Sequence, residues 1–167
     1  MQREELPYRL VIFDADDTLR RTLVPGQPCP RAAHEWELMP RVAERLRSIP
    51  WGTHGLLLGV ASNQDQIAYG HLSEATARDL LLDMIARASG HVPPDDAVQL
   101  CPHALEQPCD CRKPAPGMLL SIMDYYGVSP AETLFVGNAL TDEEAARGAG
   151  ASFALADDFF DWSREQS

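Results

Sequence analysis

In VIFDADDT (11–18), Asp14 and Asp16 stand two residues apart, directly after a short apolar run. A carboxylate placed there can attack phosphorus, while a second one nearby donates and then accepts a proton. The same pair offers hard oxygens to Mg²⁺, which takes one or two carboxylates with phosphate oxygens and water. An isolated D-x-D is common in turns and helix caps. Here the preceding apolar run makes a solvated turn the poorer explanation.

A second chemical stretch is LCPHALEQPCDCRKPAPG (100–117), which carries three of the chain's four cysteines and a histidine. Cys101-x-His103 and Cys109-x-Cys111 make two ligand pairs, and tetrahedral zinc takes about four such donors. Clustered cysteines in a reducing compartment are more often metal ligands than disulfides. Disulfides or free thiols are the alternative, although joining Cys109 to Cys111 across one residue closes a small, strained ring. All four positions are filled by protein, which leaves no place for water or substrate and makes the zinc structural. Arg112 and Lys113 follow at once, and Pro114 restricts the lysine backbone to extended conformations. Cys29, between Pro28 and Pro30, is read as a bystander.

These residues need elements to position them. Short apolar runs at 10–13, 55–61, 97–100, 133–136 and 152–156 are bounded by turn residues, as buried parallel strands are. Between them lie helix candidates: PRVAERLRSI with a proline suited to a first turn, SEATARDLLLDMIARAS with a serine cap, and PGMLLSIMDYYG ending on glycine. A fourth, TDEEAARGAG, opens on a threonine cap followed by three acids that suit the positive helix end. Alternating strand and helix predicts one α/β domain over residues 1–167, a Rossmann-like parallel sheet with helices on both faces. Asp14, Ser62, Cys101 and Asn138 each fall just beyond a predicted strand, the edge where open α/β sheets bind ligands. The tail DDFFDWSREQS is expected to pack its aromatics back on the domain.

In order along the chain, VIFDADDT, GVASNQ, RKPAPG and VGNALTDEEAA resemble the haloacid dehalogenase (HAD) superfamily of phosphatases. The zinc loop beside Lys-Pro is similar to the subgroup of heptose bisphosphate and histidinol-phosphate phosphatases. The resemblance implies that Asp14 is a nucleophile forming an aspartyl-phosphate and that Asp16 protonates the leaving alkoxide, then activates water. It implies that Ser62, Asn63 and Lys113 hold the phosphoryl group, with Arg112 on a second anionic or polar substrate group. Mg²⁺ would sit with Asp14, Asp16, Asn138 and Asp142. Two departures stand out. Asp17 replaces a glycine, and Asn138 replaces the first aspartate of the fourth motif, which removes a charge from the Mg²⁺ site. Neither 19–61 nor 63–112 is long enough for a cap domain, so the crevice is expected to be capless and open.

The chain has 14 basic and 25 acidic residues, a formal charge of −11, which argues against a non-specific nucleic-acid or anionic-membrane binder. MQREELPYRL is not a signal peptide and no segment approaches the roughly 20 apolar residues of a membrane span, so a cytoplasmic protein is expected. The expected partner is a small phosphorylated metabolite such as a heptose bisphosphate. Histidinol phosphate, a nucleic-acid 3′-phosphate (with Arg20 and Arg21 as local phosphate contacts) and a non-catalytic phospho-ligand binder are the alternatives. The sequence is silent on oligomeric state, and a monomer is the default expectation.

Overall fold

Strand β1 (Leu10–Phe13) is buried along its whole length, and its side chains alternate between two separate cores. Val11 and Phe13 enter one core, Leu10 and Ile12 the other, as the two-residue period of a strand requires. A strand apolar on both faces belongs at the centre of a sheet, with helices on each side. The computed structural model describes residues 6–52 and 54–163. The acidic start of the chain and the last four residues of the tail lie outside them.

After β1 come β2 (Arg20–Thr22), β3 (Trp36–Leu38), α1 (Val42–Leu46), β4 (Leu57–Asn63) and α2 (Glu74–Ser89). Then follow β5 (Val98–Cys101), α3 (Gly117–Tyr126), β6 (Thr133–Gly137), α4 (Leu140–Ala149), β7 (Ser152–Leu155) and α5 (Ala156–Phe159). The main sheet is five-stranded and parallel in the order β5-β4-β1-β6-β7. Helices α1, α2 and α5 cover the face that Val11 and Phe13 enter, and α3 and α4 cover the other. The chain reverses its winding direction beside β1, so the ends of β4, β1 and β6 frame the crevice such sheets use for ligands. The expected parallel α/β sheet is present.

Three local expectations are corrected. The stretch 19–61 also holds an antiparallel ribbon, β2 paired with β3, for which the apolar runs along the chain gave no sign. Pro40 is not in the first turn of α1: Arg41 caps that helix at φ 65°, and the Pro40 carbonyl accepts the Trp162 indole N–H at 2.6 Å. Thr141 does not cap α4, which begins at Leu140. Asp142, in the first turn, reaches back with Oδ2 to accept the N–H groups of Asn138 and Ala139, each at 3.1 Å. The serine cap of α2 is present, with Ser73 Oγ accepting from the Thr76 N–H at 3.0 Å. Phe159 and Phe160 are buried against Phe13 and Trp162, so the described part of the tail does pack back.

Candidate active site

Asp14 is the residue immediately after β1, and its backbone N–H still bonds to the Val136 carbonyl at 3.0 Å, continuing the ladder with β6. Its place is therefore set by the rigid centre of the sheet. A cleft of about 170 Å³ opens there, lined by Asp14, Asp16, Asn63, Lys113, Asn138 and Asp142, with Pro28, Ala139 and Thr141 at its margin. Six of the residues singled out from the sequence thus meet in one place, although they come from four separate segments.

The Lys113 ammonium lies at the floor, with all three protons engaged. It donates to Asp14 Oδ1 at 2.7 Å, Asp142 Oδ1 at 2.8 Å and the Ala61 carbonyl at 2.9 Å. Burial disfavours its charge, but Asp14 and Asp142 outweigh burial and hold it above the ordinary lysine range. Burial also pushes Asp14 up, Lys113 pulls it back, and Asp142 and Asp16 push it again, leaving it at about 6. Asp14 Oδ2 and the Asn138 amide oxygen both lie within reach of the Thr18 hydroxyl, at 3.2 and 3.3 Å. A desolvated carboxylate with excess negative charge around it, facing an amide oxygen, is a donor set that suits a hard divalent cation. Asp14, Asn138 and the backbone at Asp16 are the groups that would hold Mg²⁺.

Asp142 has less to offer a cation directly, because one oxygen holds Lys113 and the other caps α4. Gly137 makes this possible: a Cβ there would sit 2.6 Å from Asp142 side-chain atoms. Asn63 lines the cleft but is committed to the backbone of Lys113. Its Oδ1 accepts the Lys113 N–H at 3.0 Å and its Nδ2 donates to the Lys113 carbonyl at 3.1 Å. Ser62 does not line the cleft; its buried hydroxyl oxygen accepts Gln64 Nε2 at 2.7 Å. Arg112 points elsewhere, with Nη1 3.8 Å from Asp65 Oδ1. Asp17 adopts φ 64°, a left-handed conformation that glycine favours and aspartate tolerates.

Arg20 and Arg21 are not a phosphate contact. Arg21 is exposed and pairs with Glu37 at 2.6 Å, whereas Arg20 is buried and donates to Asp16 Oδ1 at 2.9 Å. Gln64 donates to Asp16 Oδ2 at 3.0 Å. Gln64 was not legible as a site residue, and Arg20 was read only as a phosphate contact. The i,i+4 spacing of Asp16 and Arg20 on a non-helical loop gives no warning of the contact.

At the end of β5, Cys101, His103, Cys109 and Cys111 bring one ligand atom each to within 4.8 Å of one another. No disulfide joins the four cysteines. Three thiols and an imidazole in that space fit tetrahedral zinc. The Arg112 N–H donates to Cys109 Sγ at 3.4 Å, so the loop that carries this cluster runs straight into Lys113.

A parallel sheet in this order, with paired aspartates at its central strand end and a buried lysine facing them, defines a HAD-type phosphatase. The family model described as polynucleotide kinase 3 phosphatase matches residues 9–163, and the chain belongs to that family. It is 33% identical to a D-glycero-β-D-manno-heptose-1,7-bisphosphate 7-phosphatase of Pseudomonas aeruginosa, over 83% of this chain and 75% of that protein. The same enzyme of Pseudomonas putida is 31% identical over 88% and 81%. The crystal structure of D,D-heptose 1,7-bisphosphate phosphatase from B. bronchiseptica, complexed with magnesium and phosphate, superimposes with TM-score 0.71. It is 30% identical, over 88% of this chain and 79% of that one. A HAD-superfamily hydrolase of subfamily IA from Geobacter sulfurreducens shares the fold at 18% identity and TM-score 0.54, over 87% and 88%.

Two outcomes follow from this geometry. Asp14, raised to about 6, would have to lose its proton to hold a cation or to act as a nucleophile. Phosphatase activity should therefore fall as pH drops through about 6, and rising Mg²⁺ should move that fall lower, because proton and cation compete for one carboxylate. An acid limb that ignores Mg²⁺ concentration would contradict the assignment. Elemental analysis should find about one zinc per chain, and Cys109→Ser should lower both zinc content and melting temperature. Activity in that variant should fall through a displaced Lys113. Absence of zinc, or a disulfide among these cysteines under reducing conditions, would remove the metal from the loop.

Proposed function

We propose that this chain is a Mg²⁺-dependent phosphomonoesterase acting on a small sugar phosphate such as D-glycero-D-manno-heptose 1,7-bisphosphate. The observation that carries the proposal is the buried Asp14–Lys113–Asp142 arrangement beside Asp16, in a chain related to heptose bisphosphatases. One carboxylate oxygen of Asp14 attacks phosphorus as the bond from phosphorus to the bridging oxygen breaks. Asp16 delivers a proton to that oxygen, and the sugar leaves as an alcohol. Asp16 then takes a proton from water, whose oxygen attacks the aspartyl-phosphate. Phosphate departs and the Asp14 carboxylate is restored. Bound Mg²⁺ supplies charge neutralisation to the phosphoryl oxygens.

Lys113 contributes positive charge where the phosphoryl group gains negative charge, a role such transfers require. Its three protons already have partners, so it serves the phosphoryl group by sharing or exchanging one of them. Asn63 and Asp142 act on Lys113. The capless cleft is open enough for a sugar phosphate, and the charge of −11 weighs against a nucleic-acid 3′-phosphate. The chain is proposed to work as one domain, in the cytoplasm, with zinc in a structural role. No helix among the described residues is long and apolar enough to cross a membrane.

A panel of phosphorylated metabolites, scored by phosphate release with and without Mg²⁺, tests the proposal. Heptose bisphosphate should rank near the top, and Asp14→Asn should abolish turnover while the protein stays folded. Retained turnover in Asp14→Asn would end the mechanism, and release from no member of the panel would favour a phospho-ligand-binding protein. Asn138 sharpens the test. An amide oxygen is a hard donor without a charge, so the enzyme should need raised Mg²⁺, and Asn138→Asp should lower the half-saturating concentration. Saturation of the natural protein at low micromolar Mg²⁺ would refute that account.

A further inference from the structure

We infer that Arg20 is a positioning residue that fixes the Asp16 carboxylate for proton transfer; the inference rests on Asp16 being the acid–base group proposed above. Arg20 is 1% exposed. A guanidinium so deep in a protein is costly unless paired, and even a paired buried ion contributes little to stability relative to an apolar side chain. Its Nε donates to Asp16 Oδ1 at 2.9 Å. The main chain reinforces the contact. The Arg20 N–H bonds to the Ala15 carbonyl at 3.1 Å and the Arg20 carbonyl accepts the Asp17 N–H at 2.7 Å, so residues 15–20 close on themselves.

Gln64 holds the other oxygen. It is also 1% exposed, and Nε2 donates to Asp16 Oδ2 at 3.0 Å and to Ser62 Oγ at 2.7 Å. The two donors come from different segments, the start of β2 and the residue after β4. Between them they remove the rotation that a carboxylate on a loop would otherwise keep, while Asp16 still borders the cleft. Proton transfer to a leaving oxygen depends on such alignment, and a misplacement of about 1 Å can cost about 10²-fold. The position on Asp16 left free by these two donors is the one that would carry the transferred proton toward the leaving oxygen.

The test uses the full chain and two substrates. One is the best alkyl phosphate of the panel, whose alkoxide needs a proton on leaving. The other is 4-nitrophenyl phosphate, whose phenolate leaves without one. Arg20→Met should lower kcat on the alkyl phosphate about 10²-fold, with KM changed only a few-fold. Single-turnover release of 4-nitrophenol should fall by less than about tenfold. Arg20→Lys, which keeps a cation with poorer geometry, should recover part of the alkyl rate. In an Asp16→Asn background, Arg20→Met should cost nothing further, because the group it aims is gone.

Equal losses on both substrates, or a loss that adds to that of Asp16→Asn, would make Arg20 a structural prop and overturn the inference. If Arg20→Met fails a melting check, Gln64→Leu removes the other donor and must show the same split between substrates. Asp14→Asn separates the two levels. Turnover surviving in that variant removes the proposed mechanism itself, whereas a dead Asp14→Asn with no substrate split removes only the role of Arg20.

Discussion

The Lys113 ammonium, 3% exposed, is held by two carboxylates and a backbone carbonyl at the ends of β1 and β4 and in the first turn of α4. A lone buried cation would be expensive to keep charged, so each of these acceptors is needed to offset its lost hydration. The same contacts tie three chain segments together where the cleft opens. The arrangement is self-consistent only when all three are in place. Removal of either carboxylate would leave an ammonium proton without its acceptor in a region from which water is largely excluded, and this is the geometry on which the rest of the site rests.

Delivery of Lys113 to that point explains much of the surrounding structure. The residue enters from a loop, and a loop alone would hold its backbone poorly. Asn63 clamps the Lys113 amide and carbonyl with reciprocal hydrogen bonds, which ties the loop to the end of β4. The Cys101–Cys111 cluster closes the loop from the other side, with Arg112 N–H bonded to the Cys109 sulfur. Asp142 performs two tasks with its two oxygens, and the absence of a side chain at Gly137 permits its approach. A charge two residues beyond Cys111 is therefore positioned by neighbours that never need to touch the substrate.

The five parallel strands were readable because each is a short apolar run between turn residues, and the sheet buries both faces. The β2–β3 ribbon was not, since RRT and WEL (20–22 and 36–38) lack any apolar run and pair across a long loop. The places of Asp14, Ser62, Cys101 and Asn138 after strands implied one crevice, and of these Asp14 and Asn138 line the cleft while Ser62 and Cys101 do not. Which side chains face the cleft was not implied: Ser62 and Asn63 are adjacent, and strand alternation sends their side chains to different surroundings. Arg20 and Arg21 divide the same way, one inward to Asp16 and one outward to Glu37. Periodicity fixes which neighbours share a face, but only the packing of distant segments decides which face meets the cleft.

Charge balance accounts for the least expected feature of the site. Asp14, Asp142 and Lys113 together carry one excess negative charge, and Asp16, although paired with Arg20, adds a smaller push on Asp14. An aspartate in place of Asn138 would add a second excess charge within reach of Thr18 and Asp14. In a desolvated cleft, like charges at that range raise one another's proton affinity. Asp14 is already at about 6 from burial and from Asp142 and Asp16. Asparagine therefore lets Asp14 ionise more readily when no cation is bound, at the cost of weaker attraction for a cation. An asparagine at 138 thus trades attraction for a cation against an Asp14 carboxylate that depends less on a cation for its charge.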